Sequence, residues 1–270
     1  MNAAAIVGTG LIGGSLGGAL RRNGWYVRGT DVDLAALQEA RGLGLIDDES
    51  SDLASCVRDV DVVLLAVPVG RVIDLLPEVD VRSPTHALIV DTGSVKQPIV
   101  AAMESLGGSH RAVGGHPLAG DHRSGPGAAN EDLFCDRPFY LCPSARTSED
   151  ALSRARSLVQ SLGARPHTLA ATDHDRKIAA SSHMPQVLSS LLASQDVDPD
   201  FAGSGFRDMT RLAGSDPAMW RDILLYNRGD LLEALASFRS SLDALMRALT
   251  ECDAEAVEHV IKRGRARVPA

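Results

Sequence analysis

No two cysteines in this chain are spaced to suggest a metal or redox pair. Cys56, Cys135, Cys142 and Cys252 are scattered, with no C-x-x-C among them. Neither a metal site nor a disulfide framework is expected; a reducing compartment fits, and the expected role of the four is small apolar packing. Also missing is any apolar run long enough to cross a membrane. No charged segment precedes the first apolar stretch, Ala3–Val7, as it would in a signal peptide. The expected location is therefore cytoplasmic, with no membrane partner. The formal net charge is -8, and no basic stripe is long enough to track phosphates. That argues against nucleic acid as a partner. The one basic cluster, Lys262–Arg267, reads as the solvated end of a helix. Internal repeats and low-complexity segments are absent as well.

What is present is a 270-residue chain, 44% hydrophobic, enough for about two domains of ~100–200 residues each. Strand and helix signals alternate through the first half. Ala3–Val7 reads as a strand, followed by a glycine-rich turn and a helix over Ser15–Arg22; Tyr26–Thr30 is a strand and Asp33–Arg41 a helix. Val60–Val67 is a continuous apolar run, the mark of a strand buried on both faces. Ala87–Val90, Arg111–Val113 and Pro138–Leu141 are further strands. This alternation predicts an α/β domain with a doubly wound, mostly parallel sheet. Near Pro166 the character changes, and from Thr172 the chain reads as helical, with interruptions at Gly203–Gly205 and Asp216–Pro217. The expected division is residues 1–166 and an all-α domain over 167–270. The clearest helix, Asp230–Thr250, carries Leu231, Leu235, Phe238, Leu242, Leu245 and Leu249 at spacings of three and four, widened by Leu232 and Met246. It is either an ordinary core helix or one shared between the subunits of a dimer.

Gly8-Thr9-Gly10-Leu11-Ile12-Gly13 follows a strand and opens a helix. In such a motif Gly8 permits the tight turn, Gly10 lets a pyrophosphate approach the backbone, and Gly13 lets the helix pack on the strand. With Leu11 and Ile12 at the helix N-terminus, the segment predicts a Rossmann dinucleotide site. Asp31 ends the second strand, where an acid accepts ribose hydroxyls and repels a 2′-phosphate; NAD is the expected cofactor. Asp31 could instead cap the next helix, a task for which Asp33 is also placed. Val67 and Pro68 either line the cofactor crevice or simply end the strand.

Two segments fall at strand ends, where active-site loops collect: Asp91-Thr92-Gly93-Ser94-Val95-Lys96 and Gly114-Gly115-His116-Pro117-Leu118-Ala119-Gly120. Oxidation of an alcohol by hydride transfer needs a base, and His116 suits that task; Ser94 could orient its imidazole. Otherwise His116 only shapes a turn before Pro117. Further on, Arg207 and Arg211 are four apart and share a helix face. They form a fork for a substrate carboxylate, or else pair with Asp208 or Asp216 at the surface. Trp220 is core or pocket wall. His183 and Gln186 are three apart on a helix that Pro185 should kink, a weak sign of a ligand. His86, His110, His167, His174 and His259 read as surface or loop residues without assigned function.

Taken together, GTGLIGGSLGGAL (Gly8–Leu20), DTGSVK (Asp91–Lys96), GGHPLAG (Gly114–Gly120) and GFRDMTRLAGSDPAMW (Gly205–Trp220) resemble the prephenate and arogenate dehydrogenases of tyrosine biosynthesis, over nearly the whole chain and in the same order. The resemblance implies a Rossmann domain followed by a helical dimerisation domain, a homodimer, and NAD-dependent oxidative decarboxylation of a cyclohexadienol to 4-hydroxyphenylpyruvate or tyrosine. It implies that His116 takes the C4 hydroxyl proton, that Ser94 helps hold hydroxyl and histidine, that Arg211 binds a substrate carboxylate, and that Trp220 lies in the substrate pocket.

Two departures stand out. Prephenate-using relatives often read S-H-L-P-H where this chain has Ser182-His183-Met184-Pro185-Gln186. A glutamine oxygen accepts from the ammonium of arogenate, whereas a protonated histidine repels it. His122 also stands where many relatives carry an acid. Two other readings compete: another Rossmann-plus-helical dehydrogenase of the β-hydroxyacid type, with Lys96 as base, and a non-catalytic dinucleotide sensor.

Overall fold

The computed structural model describes residues 2–107, 110–120 and 123–268; His122 lies outside them. Eight strands form one sheet: β1 (Ala3–Val7), β2 (Tyr26–Thr30), β3 (Asp48–Glu49), β4 (Val62–Leu65), β5 (Leu88–Asp91), β6 (Ala112–Pro117), β7 (Pro138–Pro143) and β8 (Arg165–Thr168). Their spatial order is β3-β2-β1-β4-β5-β6-β7-β8. All neighbours are parallel except β6 and β7. The chain winds outward in both directions from β1 and β4, which puts a topological switch point, and its crevice, at their C-terminal ends.

Alternation along the central strands explains their unbroken apolar sequence. Ala4, Ile6, Leu64 and Val90 bury into the core on one face, and Ala5, Val7, Val63, Leu65 and Ile89 into the core on the other. The crossover helices are α1 (Leu11–Arg22), α2 (Leu34–Gly42), α3 (Leu53–Cys56), α4 (Val69–Arg82), α5 (Gln97–Glu104) and α6 (Glu149–Ser161). Asp33 caps α2, accepting from the amides of Ala35 and Ala36, the role anticipated for it. Burial pushes the Cys56 and Cys142 thiols up to about 12, so these two pack as small apolar groups. Cys135 is half-buried and Cys252 exposed, contrary to the packing role expected of all four.

The sheet ends with β8, which runs through Pro166, and the helical part begins with α7 (Ala171–Ile178). A π-helical turn, Ala179–His183, joins α7 to α8 (Met184–Ala193). The wider turn sits directly ahead of Pro185, whose ring has no N–H for the ordinary ladder and would crowd the carbonyl four residues back. The kink expected at Pro185 is thus taken up before it. Then follow α9 (Ser204–Thr210), a 3-10 turn over Arg211–Gly214, α10 (Pro217–Tyr226), α11 (Arg228–Thr250) and α12 (Ala254–Arg265). Of the six residues in the α11 stripe only Leu231 is buried; Leu242 and Leu249 are 45% and 57% exposed. An ordinary core helix would bury that stripe. No helix among the described residues is long and apolar enough to cross a membrane.

Candidate active site

The glycine loop is built by close approach. Gly8 has φ +91°, and a Cβ there would stand 2.5 Å from the Ala66 carbonyl oxygen on the neighbouring strand end; a Cβ on Gly13 would stand 1.8 Å from the Gly8 oxygen. Gly10 differs: a Cβ there meets nothing within 4 Å. It faces a cleft of about 320 Å³, lined by Gly10, Leu11 and Ile12 on one side and Val67, Pro68 and Ser94 on others. No side chain caps α1, so its first-turn amides remain available to an anion. Open space, uncapped amides and a crevice at the switch point together suit a dinucleotide pyrophosphate.

Asp31 lies at the end of β2. Its Oδ2 accepts from the Thr9 amide (2.6 Å) and the Thr9 hydroxyl (3.2 Å), and its Oδ1 from the Asp33 amide (3.0 Å). The carboxylate thus braces the glycine loop, and its half-exposed oxygens keep lone pairs for further donors.

His116 is not in a loop after its strand. Strand β6 runs four residues beyond the expected end at Val113, through Gly114, Gly115, His116 and Pro117, because β7 pairs with it there, His116 opposite Tyr140. Gly115 is required by packing: a Cβ would stand 2.3 Å from the Asp91 carbonyl oxygen. The expected bond from Ser94 to His116 is absent. Instead His116 Nδ1 lies 2.8 Å from Nε2 of His174, and His174 Nδ1 lies 2.7 Å from Asp175 Oδ1. Reading His174 as a surface residue was therefore wrong: it is 1% exposed, while His86, His110, His167 and His259 are exposed. Asp175 in turn accepts from the amides of Lys96 (2.7 Å) and Gln97 (2.8 Å), which caps α5. The signal for this pair was faint. His174 and Ile178 are four apart and share the buried face of α7, but the polar residues around them disguise it.

Burial is the main cause that holds the His116 imidazole well below its ordinary 6.5, with the electrostatic influence of His174, Lys96 and His183 adding to it. A neutral imidazole at neutral pH is what a general base needs. His116 Nε2 has no hydrogen-bond partner among the described residues.

Lys96 is fully buried; its Nζ is paired with Asp91 and donates to the Gly115 carbonyl at 2.6 Å. Asp91 also accepts from the amides of Gly93 (2.8 Å) and Gly115 (3.0 Å). This ion pair ties the cleft-lining loop after β5 to the strand that carries His116. An ammonium so enclosed is not available as the base of a β-hydroxyacid-type reaction.

The substrate candidates gather around the π turn. His183 is buried, with Nδ1 3.0 Å from Asn227 Nδ2 and its ring edge-on to Trp220 at 5.9 Å. Asn227 donates also to the Asp175 carbonyl (3.0 Å); it was not singled out from the sequence. Accepting at Nδ1, His183 carries its proton on Nε2, which is buried without a partner among the described residues. Burial pulls this imidazole down to about 4, against the pull of Asp175. Gln186 Nε2 donates to the Leu212 carbonyl (2.9 Å), and its Oε1 is likewise buried with no partner among the described residues. Ser189 Oγ accepts from the Ala213 amide (3.1 Å). Together Gln186 and Ser189 pin the 3-10 turn that begins at Arg211. Arg207 and Arg211 do not share one continuous α-helix, since α9 ends at Thr210. Neither has an ion-pair partner among the described residues; Arg207 donates to the Ala202 carbonyl (2.7 Å), and Arg211 has no described hydrogen bond.

A Rossmann sheet with a cleft at its switch point, joined to a helical unit that adds unpartnered polar groups, defines a nucleotide-dependent oxidoreductase. The family model described as "Prephenate dehydrogenase, nucleotide-binding domain" matches residues 16–168, and "Prephenate dehydrogenase, dimerization domain" matches residues 170–263. The chain belongs to the prephenate dehydrogenase family. It is 34% identical over 262 residues to the prephenate dehydrogenase of Bacillus subtilis, covering 93% of this chain and 71% of that one. To the cyclohexadienyl dehydrogenase of Zymomonas mobilis it is 33% identical over 279 residues, covering 98% and 94%. The crystal structure of prephenate dehydrogenase from A. aeolicus, in complex with hydroxyphenyl propionate and NAD+, superposes with a TM-score of 0.90 at 30% identity, over 100% of this chain and 99% of that one.

Proposed function

We propose that the chain catalyses NAD-dependent oxidative decarboxylation of prephenate, arogenate or both, yielding 4-hydroxyphenylpyruvate or tyrosine. The observation that carries this reading is His116: buried, held neutral, its Nε2 without a partner among the described residues, one strand away from the loop that lines the dinucleotide cleft. NAD, when bound, would supply the hydride acceptor for C4 of the ring. Gly10, Leu11 and Ile12 would cradle its pyrophosphate at the start of α1, where Gly8 and Gly13 keep the loop tight. Asp31 would accept ribose hydroxyls and disfavour a 2′-phosphate, and Val67 and Pro68 would flank the cofactor.

His116 Nε2 takes the C4 hydroxyl proton as hydride departs, leaving a ring ketone. Ser94 holds the same hydroxyl. The bond to the ring carboxylate then breaks, CO₂ leaves, and the electron pair completes an aromatic phenolate that recovers the proton from His116. Arg211 binds a substrate carboxylate through its guanidinium, with Arg207 as a second cation on the preceding turn. Trp220 and His183 wall the pocket, and the His183 Nε2–H offers a hydrogen bond. Gln186 Oε1 is an acceptor aimed at the substrate side chain. It matches the ammonium of arogenate, so arogenate is the preferred substrate.

The enzyme works as a homodimer built on the exposed stripe of α11, in the cytoplasm, where its unpaired cysteines stay reduced. Its domains divide between β8 (Arg165–Thr168) and α7 (Ala171–Ile178), a few residues beyond the expected division at 166. His116→Gln tests the chemistry: turnover falls by about 10²–10⁴ while NAD affinity is kept. Unchanged turnover in that variant would remove His116 from the mechanism.

A further inference from the structure

We infer that Asp175, His174 and His116 form one directed hydrogen-bond chain that fixes the tautomer of His116 and leaves its Nε2 lone pair facing the substrate, with His174 and Asp175 as positioning residues. The inference rests on the proposed role of His116 as proton acceptor, and it assigns a function to two side chains that the reaction does not otherwise use.

The direction of the chain follows from its fixed end. Both Asp175 oxygens already accept backbone N–H groups, from Lys96 at 2.7 Å and from Gln97 at 2.8 Å, so the carboxylate faces the next group as an acceptor. The Asn227 side chain holds the Asp175 backbone from behind, at 3.0 Å from its carbonyl oxygen. His174 Nδ1, at 2.7 Å from Asp175 Oδ1, must therefore carry a hydrogen. With its single ring proton there, His174 presents a lone pair at Nε2. The 2.8 Å contact to His116 Nδ1 is a hydrogen bond only if His116 donates from Nδ1. His116 Nε2 is then bare, the state a proton acceptor requires. In the opposite direction, with Nε2 of His174 as donor, the His116 proton would sit on Nε2 and the base would be blocked.

The same chain acts during the reaction. When Nε2 takes the substrate proton, His116 becomes a cation in a dry site. The His174 lone pair, polarised by Asp175, is the neutral acceptor that faces it among the described residues. The other groups facing this pair are the Lys96–Asp91 ion pair, the His183 ring, and Tyr140, whose ring is edge-on to His174 at 5.8 Å. None of these hydrogen-bonds to either His116 nitrogen. Bonding from residue to residue thus links the capping of α5, the middle of α7 and the base on β6.

The first test needs no turnover. Nitrogen NMR of the wild-type protein with labelled histidine, in the presence of NAD⁺, reports the protonation of each ring nitrogen. The expected pattern is Nδ1–H with bare Nε2 on both His116 and His174; Nε2–H on His116 overturns the proposal whether or not the enzyme accepts a cyclohexadienol. The second test is His174→Phe, which keeps the ring and removes the acceptor. Expected is a loss of about 10²-fold or more in kcat, little change in KM or NAD affinity, and an acid limb of kcat/KM displaced to lower pH, because the imidazolium has lost its acceptor. An acid limb displaced to higher pH would show that His174 acts on His116 only as a like charge, and would overturn the chain. His174→Gln, which returns an acceptor oxygen, recovers at least about tenfold of the loss. Equal rates for the Phe and Gln variants count against positioning by a hydrogen bond.

Discussion

The Gln186 side chain donates from Nε2 to the Leu212 carbonyl at 2.9 Å, and that bond orients its amide, leaving Oε1 buried without a partner among the described residues. A buried orphan acceptor is costly unless a ligand supplies the donor. Arogenate brings an ammonium to the side-chain end, and prephenate does not. Gln186→His should therefore lower the ratio of kcat/KM for arogenate over prephenate by at least about tenfold, as expected for a lost polar match. Steady-state kinetics with both substrates checks this; an unchanged ratio removes Gln186 as the selector.

Acid should act on two buried imidazoles in the same direction. His116 lies well below its ordinary 6.5 and His183 near 4 in the folded chain. The unfolded state binds protons at these sites first, so the full contribution is present above pH 6.5 and is lost as pH falls from 6.5 towards the folded values. For His183 alone the loss approaches about 3 kcal/mol at pH 4. Urea unfolding followed across this range should show the decline, and His183→Gln should flatten part of it. Activity follows the same sign: the acid limb of kcat/KM lies below 6.5.

The central strands were legible because burial on both faces leaves an unbroken apolar run, and α1 because the glycine motif marks its start. The extent of β6 was not: Gly114, Gly115 and His116 carry no strand propensity, and only the pairing with β7 and the approach of Asp91 extend the strand through them. Much of the active site was readable as residue types at loop positions. The partners of those residues were not. His174 meets His116 across 58 positions of sequence and Asn227 meets His183 across 44. Local sequence carries no sign of such long-range bonds. Lys96 was noticed as a possible base, but its fully buried ion pair with Asp91 is a property of the folded sheet.

That ion pair gives a prediction separating structure from chemistry. Lys96→Ala leaves the Asp91 carboxylate buried and unpaired, which costs about 3–5 kcal/mol. Thermal unfolding should show a large fall in stability. The double replacement Lys96→Met with Asp91→Asn should recover much of it, and recovered protein that still turns over excludes Lys96 as the base.

Gly10 and Gly13 should respond differently to the same chemistry. A Cβ on Gly13 collides with the Gly8 carbonyl, while one on Gly10 points into open space. Gly10→Val should weaken NAD binding by at least about tenfold (a penalty of ~1.4 kcal/mol or more) with little change in melting temperature. Gly13→Val should lower the melting temperature itself. Calorimetric titration with NAD⁺ alongside thermal melts measures both.

On α11, Leu242 is 45% and Met246 57% exposed in the single chain. Leu242→Glu with Met246→Glu should move the protein from dimer to monomer in sedimentation velocity at micromolar concentration, because charges would enter an apolar contact. A dimer of unchanged stability would place the interface elsewhere.

The most direct measurement of the central claim is the stoichiometry of one turnover. Purified protein is given NAD⁺ with arogenate or prephenate in parallel, and NADH, CO₂ and aromatic product are quantified together. The account predicts equal amounts of all three with at least one substrate, and none with His116→Gln. NADH without CO₂ would contradict oxidative decarboxylation, and folded, NAD-binding protein that turns over neither substrate would contradict the proposed function.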